Sequence, residues 1–241
     1  MAADGSRRYG QDVESTGPSE VQRRIRPFAE AVADGRRELD ETALALANVL
    51  QPDLDLIEWL AALDLLAADC PTPTRDGIIR FLFGSGLFAG DDSDYHHWRN
   101  SCLDRVIETR RGMPITLAVV AIEVARRVGV RLAGVGMPGH FLVGDPGDPT
   151  WFADPFHGKT GLTAADCREI LERVGVSQWS DRFLEPTPNR LIIARMLNNL
   201  KASCELQGDR VRLALVMQAR QQLPEFGAEA ADATRALAIL N

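Results

Sequence analysis

Cysteine is scarce and scattered in this 241-residue chain. Cys70, Cys102, Cys167 and Cys204 form no C-x-x-C pair, so neither a disulfide framework nor a zinc site is signalled. Long apolar runs are also missing. The longest uncharged one, ITLAVVAI at 115–122, is less than half of the roughly 20 residues a membrane helix needs, and no membrane span is expected. Cationic excess is absent too: 27 Lys and Arg stand against 34 Asp and Glu, a formal net charge of −7. Binding to nucleic acid depends on cations neutralising phosphates, so such a partner is not expected. The local exceptions, RRIR at 23–26 and Arg110, Arg111, Arg126, Arg127 and Arg131, alternate with acids and apolar residues and read as solvated helical faces. The first 20 residues contain no apolar stretch of the signal-peptide kind, which reads as a flexible tail over 1–20 and a cytoplasmic protein.

What is present is an ordinary globular composition, 45% hydrophobic, organised around one segment from Arg110 to Phe156. Pro114 has a fixed φ and no N–H, which suits the first position of a helix. Leu117, Val120, Ala121, Val124 and Val128 recur at helical spacing, and Gly129 marks the end. The period then changes to short runs rich in strand formers, VRLAGVGM, HFLV and TWFAD, around the turn residues GDPGDP. A helix followed by antiparallel strands is predicted.

His140 is expected to begin one hairpin strand and Asp154 to end the other, so the imidazole and the carboxylate can meet across the ladder. A carboxylate that fixes the tautomer of an imidazole is the coupling a general base requires. Direct opposition of the two would place Gly144 opposite Thr150 and Asp145 opposite Pro149, closing the hairpin through a five-residue loop, 145–149. Pro149, which lacks a ladder N–H, favours that loop. His157 follows at a turn and would line the rim. His96 and His97 beside Asp91, Asp92 and Asp94 read as a polar loop, since adjacent histidines cannot face one ion from a regular element.

Helices are predicted before the segment, in DETALALANVL, DLDLIEWLAALDLLAAD, TRDGIIRFLFG and near 98–110, and after it in LTAADCREILERV, capped by Thr163. Two further helical patterns cover 188–207 and 209–222, and an Ala-rich one runs from about 227 to 240. The organisation read from these patterns is an N-terminal helical region over 21–93, a core over 94–180 and a C-terminal helical region over 187–241.

From about Asp40 to Asn199 the chain resembles the bacterial SirB family, similar in turn to the transglutaminase-like superfamily and to a domain of an F-box protein. LQPDLDLIEWLAALDLLA at 50–67, DYHHWRNSCLDRVIETRRGMPITL at 94–117, GVGMPGHFLV at 134–143, FADPF at 152–156 and ARMLNNLK at 194–201 carry the resemblance. It implies an α+β fold: a transglutaminase-like, cysteine-protease-like core with a small antiparallel sheet, flanked by N-terminal and C-terminal helices, the latter tetratricopeptide-like. It also implies that His140 and Asp154 stand at two of the superfamily's triad positions, while Pro114 stands where the nucleophilic Cys would be. Cys102, just before the core helix, is the candidate for a relocated thiol. Asn100, Arg110, Arg111, Pro114 and Thr116 are the candidate binding residues, with at least one of the first three expected in the pocket.

The function expected is therefore a non-catalytic or weakly catalytic protein that binds a small molecule, or a peptide or protein partner, in that pocket or on the C-terminal helices. No cofactor or metal is implied. The alternative is a hydrolase or amidase in which His140, oriented by Asp154, activates water or Thr116 against a peptide-like bond. A regulator of transcription acting through protein contacts is a third reading.

Overall fold

The computed structural model describes residues 20–227. The expected tail, save its last residue, and nearly all of the expected Ala-rich helix lie outside them. The chain opens with three helices, α1 (Glu20–Ala33), α2 (Leu39–Leu50) and α3 (Leu56–Ala68). A short α4 (Arg75–Ile79) widens into a π-helical turn at Arg80–Gly84, and β1 (Ala89–Gly90) follows. The helix expected near 98–110 is divided into a 3₁₀ turn (Trp98–Ser101) and α5 (Leu103–Thr109), with Cys102 extended between them. The two-residue β2 (Arg111–Gly112) pairs in parallel with β1 and leads into α6 (Pro114–Arg127), with Pro114 at its first turn as expected.

From Pro114 to Ala125 every residue of α6 is buried, which makes it a central helix rather than an amphipathic one. Its charged end is not the solvated face the sequence suggested. Glu123 is buried and accepts from Arg126 and Arg127, and Arg127 reaches Asp40 of α2 at 2.6 Å and Asp64 of α3 at 2.7 Å. Periodicity shows only that these charges share a side; Asp40 of α2 and Asp64 of α3 join Glu123 and Arg127 in a part-buried ion cluster, while Arg126 stays exposed at its edge.

Beyond α6 come β3 (Ala133–Val135), β4 (Leu142–Asp145), β5 (Asp148–Asp154), β6 (Lys159–Leu162) and α7 (Ala164–Arg173), then β7 (Pro186–Thr187). They form a five-stranded antiparallel sheet in the order β6-β5-β4-β3-β7. Side-chain alternation divides its residues: Val143, Trp151 and Ala153 join the main core, while Leu142 and Phe152 join Cys167 and Leu171 of α7 in a second cluster. Thr163 caps α7 as expected, in a capping box with Asp166. The last two helices, α8 (Asn189–Gln207) and α9 (Arg210–Arg220), meet at Gly208, which takes the left-handed conformation (φ 67°). The main core extends from Ile25 of α1 to Phe226, so flanking helices and central helix share one apolar interior. The fold class is α+β, as expected.

The hairpin closes differently from the expectation. Gly144 lies opposite Phe152 rather than Thr150, and Asp145 opposite Asp148 rather than Pro149. The loop is only Pro146 and Gly147, and Pro149, Thr150 and Trp151 are taken up in a bulge on β5. Pro149 does sit where no ladder N–H is required, but within the strand instead of the loop. The cause is a distant clamp. Arg75 of α4 donates to Asp145 (2.8 Å) and Asp148 (2.9 Å), holding the tip shut, and Asp76 accepts from Trp151 Nε1 and Thr160 Oγ1. Within the hairpin, Pro146–Gly147 is a two-residue turn signal and Asp145 and Asp148 accept from the Gly147 and Thr150 N–H groups, so local chemistry agrees with the clamp.

Candidate functional site

The site is built from the two ends of the hairpin. Before β4, Gly139 turns the chain with a φ of 70°, and the His140 N–H donates to the Met137 carbonyl. His140 therefore lies in the turn leading to the strand, not in the strand as expected. Its own carbonyl accepts from Arg195 Nη2 of α8 at 2.8 Å, while the Arg195 guanidinium lies over the Phe141 ring. Asp154 ends β5 and is fully buried. The register differs from the expected one by two residues.

His140 Nε2 and Asp154 Oδ2 are 2.9 Å apart, within the expected hydrogen-bond reach. His157 Nδ1 approaches the same oxygen at 2.7 Å. The other oxygen, Oδ1, accepts from the backbone N–H groups of Phe156 (3.1 Å) and His157 (3.3 Å). The DPFH sequence after β5 thus curls around its own carboxylate. Burial alone would push the Asp154 carboxyl up, but the hydrogen bond and charge of His140, and then those of His157, hold it below the usual carboxylate range. An ionised carboxylate only accepts, so His140 is assigned Nε2–H and His157 Nδ1–H. His140 Nδ1 makes no hydrogen bond to the described residues.

The surroundings are aromatic. The Phe156 ring stands edge-on to His140 (6.4 Å between centroids), Tyr95 (5.9 Å) and His157 (5.1 Å). The Phe156 carbonyl accepts from the Gly90 N–H at 3.3 Å, the Asp91 N–H donates to Gly112, and the Met113 N–H donates to Asn100. A short hydrogen-bonded path therefore joins the His–Asp pair to the start of α6. Access runs over His157, whose side chain is 52% exposed. A groove of about 610 Å³ lined by Val21, Arg24, Val211 and Leu215 involves none of these residues.

The other sequence candidates make no hydrogen bond to this centre. Asn100 is buried and ties the preceding loop, donating to Asp91 Oδ2 (3.0 Å) and to the Asp94 carbonyl (2.8 Å). Arg110 ends α5 in the left-handed conformation, its guanidinium over the Phe88 ring at 4.7 Å. Arg111 is exposed and reaches the Gly90 carbonyl. None of the three hydrogen-bonds to His140 or Asp154. Pro114 and Thr116 are buried, and Thr116 Oγ1 finds no partner among the described residues.

Cys102 is buried, and burial pushes its thiol well above the ordinary value, with the Asp104 charge adding to the effect. The position before a helix, which would favour a thiolate, is overridden by desolvation. Burial and the charges of Asp166 and Asp154 push Cys167 up to about 12. Arg195, Tyr95 and Phe156 were not singled out from the sequence. All three nevertheless lie within ARMLNNLK, DYHHWRNSCLDRVIETRRGMPITL and FADPF, stretches that carry the resemblance.

A family model described as transglutaminase-like superfamily matches residues 33–198, more than half of the chain. The chain belongs to the transglutaminase-like superfamily. It is 39% identical to a UPF0162 protein of Xylella fastidiosa over 185 residues, 70% of this chain and 66% of that relative. A UPF0162 protein of Pseudomonas aeruginosa is 34% identical over 127 residues, 52% of this chain and 46% of its own length. F-box only protein 21 of Mus musculus is 35% identical over 79 residues, 33% of this chain and 13% of that protein. The chain thus spans just under two thirds of the length of the Xylella relatives it matches. No solved structure matches at a significant level. No helix among the described residues is long and apolar enough to cross a membrane.

Proposed function

We propose that this chain is a SirB-type transglutaminase-like protein that binds a small molecule or a peptide or protein partner at the His140–Asp154 site without thiol catalysis. Pro114 carries the reading: it begins α6, where the superfamily resemblance puts a nucleophilic Cys, and an imino-acid ring offers no thiol. The buried thiols of Cys102 and Cys167, both pushed toward the protonated form, support it. Arg195 suggests the chemistry of the ligand. It has no carboxylate within ion-pair distance among the described residues and lies mostly buried beside His140, so an acidic group on the ligand would complete it. In this reading α8 and α9, taken as tetratricopeptide-like, offer a further surface to the partner.

One observation favours the hydrolase alternative: His140 Nδ1 has no hydrogen-bond partner among the described residues while Asp154 orients the ring. Incubation with a library of peptides and amides separates the two readings. Wild type that retains ligands unchanged, and His140→Ala that does not retain them, fit the binding protein; turnover lost in His140→Ala fits the hydrolase.

A further inference from the structure

We propose that His140, Asp154 and His157 form a binding site for a divalent transition-metal ion of the Zn²⁺ type. His140 Nε2 and His157 Nδ1 stand 2.9 and 2.7 Å from Asp154 Oδ2, and one ligand atom from each of the three residues lies within 4.8 Å of the others. Two imidazoles and one carboxylate are a donor set for Zn²⁺ or a similar first-row ion, and three protein ligands are the number that leaves a coordination position open. The sequence pattern places His140 and Asp154 together and His157 at the rim, but does not show the bond that turns the His157 ring back onto the same carboxylate oxygen.

The geometry requires little change. Zn²⁺ bonds of about 2.0–2.2 Å in a tetrahedron separate ligand atoms by roughly 3.3 Å, and the two nitrogens now stand 2.9 and 2.7 Å from the carboxylate oxygen. They need to open by about half an ångström around the ion. His157, half-exposed on the rim, is free to make that adjustment and provides the entry path. Asp154 is already oriented, since its other oxygen is held by the Phe156 and His157 N–H groups. Each neutral imidazole moves its proton to the opposite ring nitrogen as its former donor nitrogen becomes a ligand, so the charge of the donor set is unchanged. For His157 that nitrogen is Nε2, on a half-exposed side chain; for His140 it is Nδ1, to which no described residue hydrogen-bonds.

The open position suits an oxygen of water, a carbonyl or a carboxylate. Two other histidines provide a control. His97 Nδ1 is engaged by the Arg99 N–H, and the His96 ring stands edge-on against Tyr95.

The inference does not require the site to bind a peptide, and its test uses the metal alone. Chain without a polyhistidine tag, stripped with a chelator, is titrated with Zn²⁺ by calorimetry. One Zn²⁺ per chain is expected, with a Kd below roughly 10 μM. His157→Ala, at the exposed ligand, is expected to weaken binding at least about tenfold and to abolish a Zn²⁺-induced rise in Tm, whereas His96→Ala/His97→Ala behaves as wild type. Absence of one-to-one binding, or an affinity unchanged in a folded His157→Ala, overturns the proposal. Ligand retention by the metal-free chain is a separate result and bears only on the binding function.

Discussion

His140 Nε2 and Asp154 Oδ2 lie 2.9 Å apart, although His140 stands in the turn before its strand and the ladder is displaced from direct opposition of the two. The bond therefore rests on the turn at Gly139 and on the curl of residues 154–157, and Asp154 is its hub. Four N–H groups converge on one buried carboxylate. Asp154→Ala leaves them unpaired and is expected to destabilise the chain by about 3 kcal/mol in guanidinium unfolding. The acid dependence follows from the sign of the shift. A carboxyl held below its ordinary value stabilises the fold fully above that value, about 3.9, and loses the contribution as pH falls through its lower folded value. The Asp154→Ala penalty should accordingly shrink in strong acid.

Thiol reactivity provides a second prediction. Alkylation of Cys102 at neutral pH is expected to be slower in the folded chain than in the unfolded one, because burial both hides the sulfur and disfavours the thiolate. Mass spectrometry of partly alkylated protein measures it. A folded chain alkylated faster than the unfolded one would restore a thiol mechanism.

Glu123 should make stability fall as pH rises. Desolvation, followed by the charge of Asp40, raises its carboxyl from 4.5 to about 7, against the opposing pull of Arg126. The folded chain then binds more protons than the unfolded one between about 4.5 and about 7, so unfolding free energy declines through that window, by at most roughly 3 kcal/mol. Urea unfolding at pH 5 and pH 8 tests this, and Glu123→Gln is expected to flatten the difference.

Gly90 is required by contact, not by conformation. A Cβ there would stand 2.4 Å from the Phe156 ring, which packs against both His140 and His157. Gly90→Ala should cost about 1–3 kcal/mol as Phe156 gives way, and a change in the His140 and His157 ring resonances by NMR is the accompanying signature.

Much of this was legible in the chain, and the failures share one cause. Pro114 and Gly129 bracket α6 because their backbone properties act locally, and Thr163 with Asp166 announces α7 in the same way. The His140–Asp154 contact was legible as a His and an Asp at the two ends of one hairpin, although the bond is made through the turn at Gly139 and not through strand alternation. The hairpin loop was legible only in part: Pro146–Gly147 marks a two-residue turn, whereas the Arg75 clamp on its tip comes from some 70 residues upstream. The solvated reading of Arg127 failed likewise, since Asp40 and Asp64 lie on other helices, whereas Arg126 is exposed as expected. His157 was placed at the rim, but its bond to Asp154 depends on a side chain turning back across a tight turn. Arg195 reaches His140 from a helix 55 residues away.

The most direct test of a thiol-free binding site is intact-mass and product analysis after incubation with a peptide and amide library. The account predicts acidic ligands retained non-covalently by wild type and released by His140→Ala and Arg195→Met, with every library member recovered uncleaved. A covalent adduct on any Cys, or cleavage that His140→Ala abolishes, would contradict it.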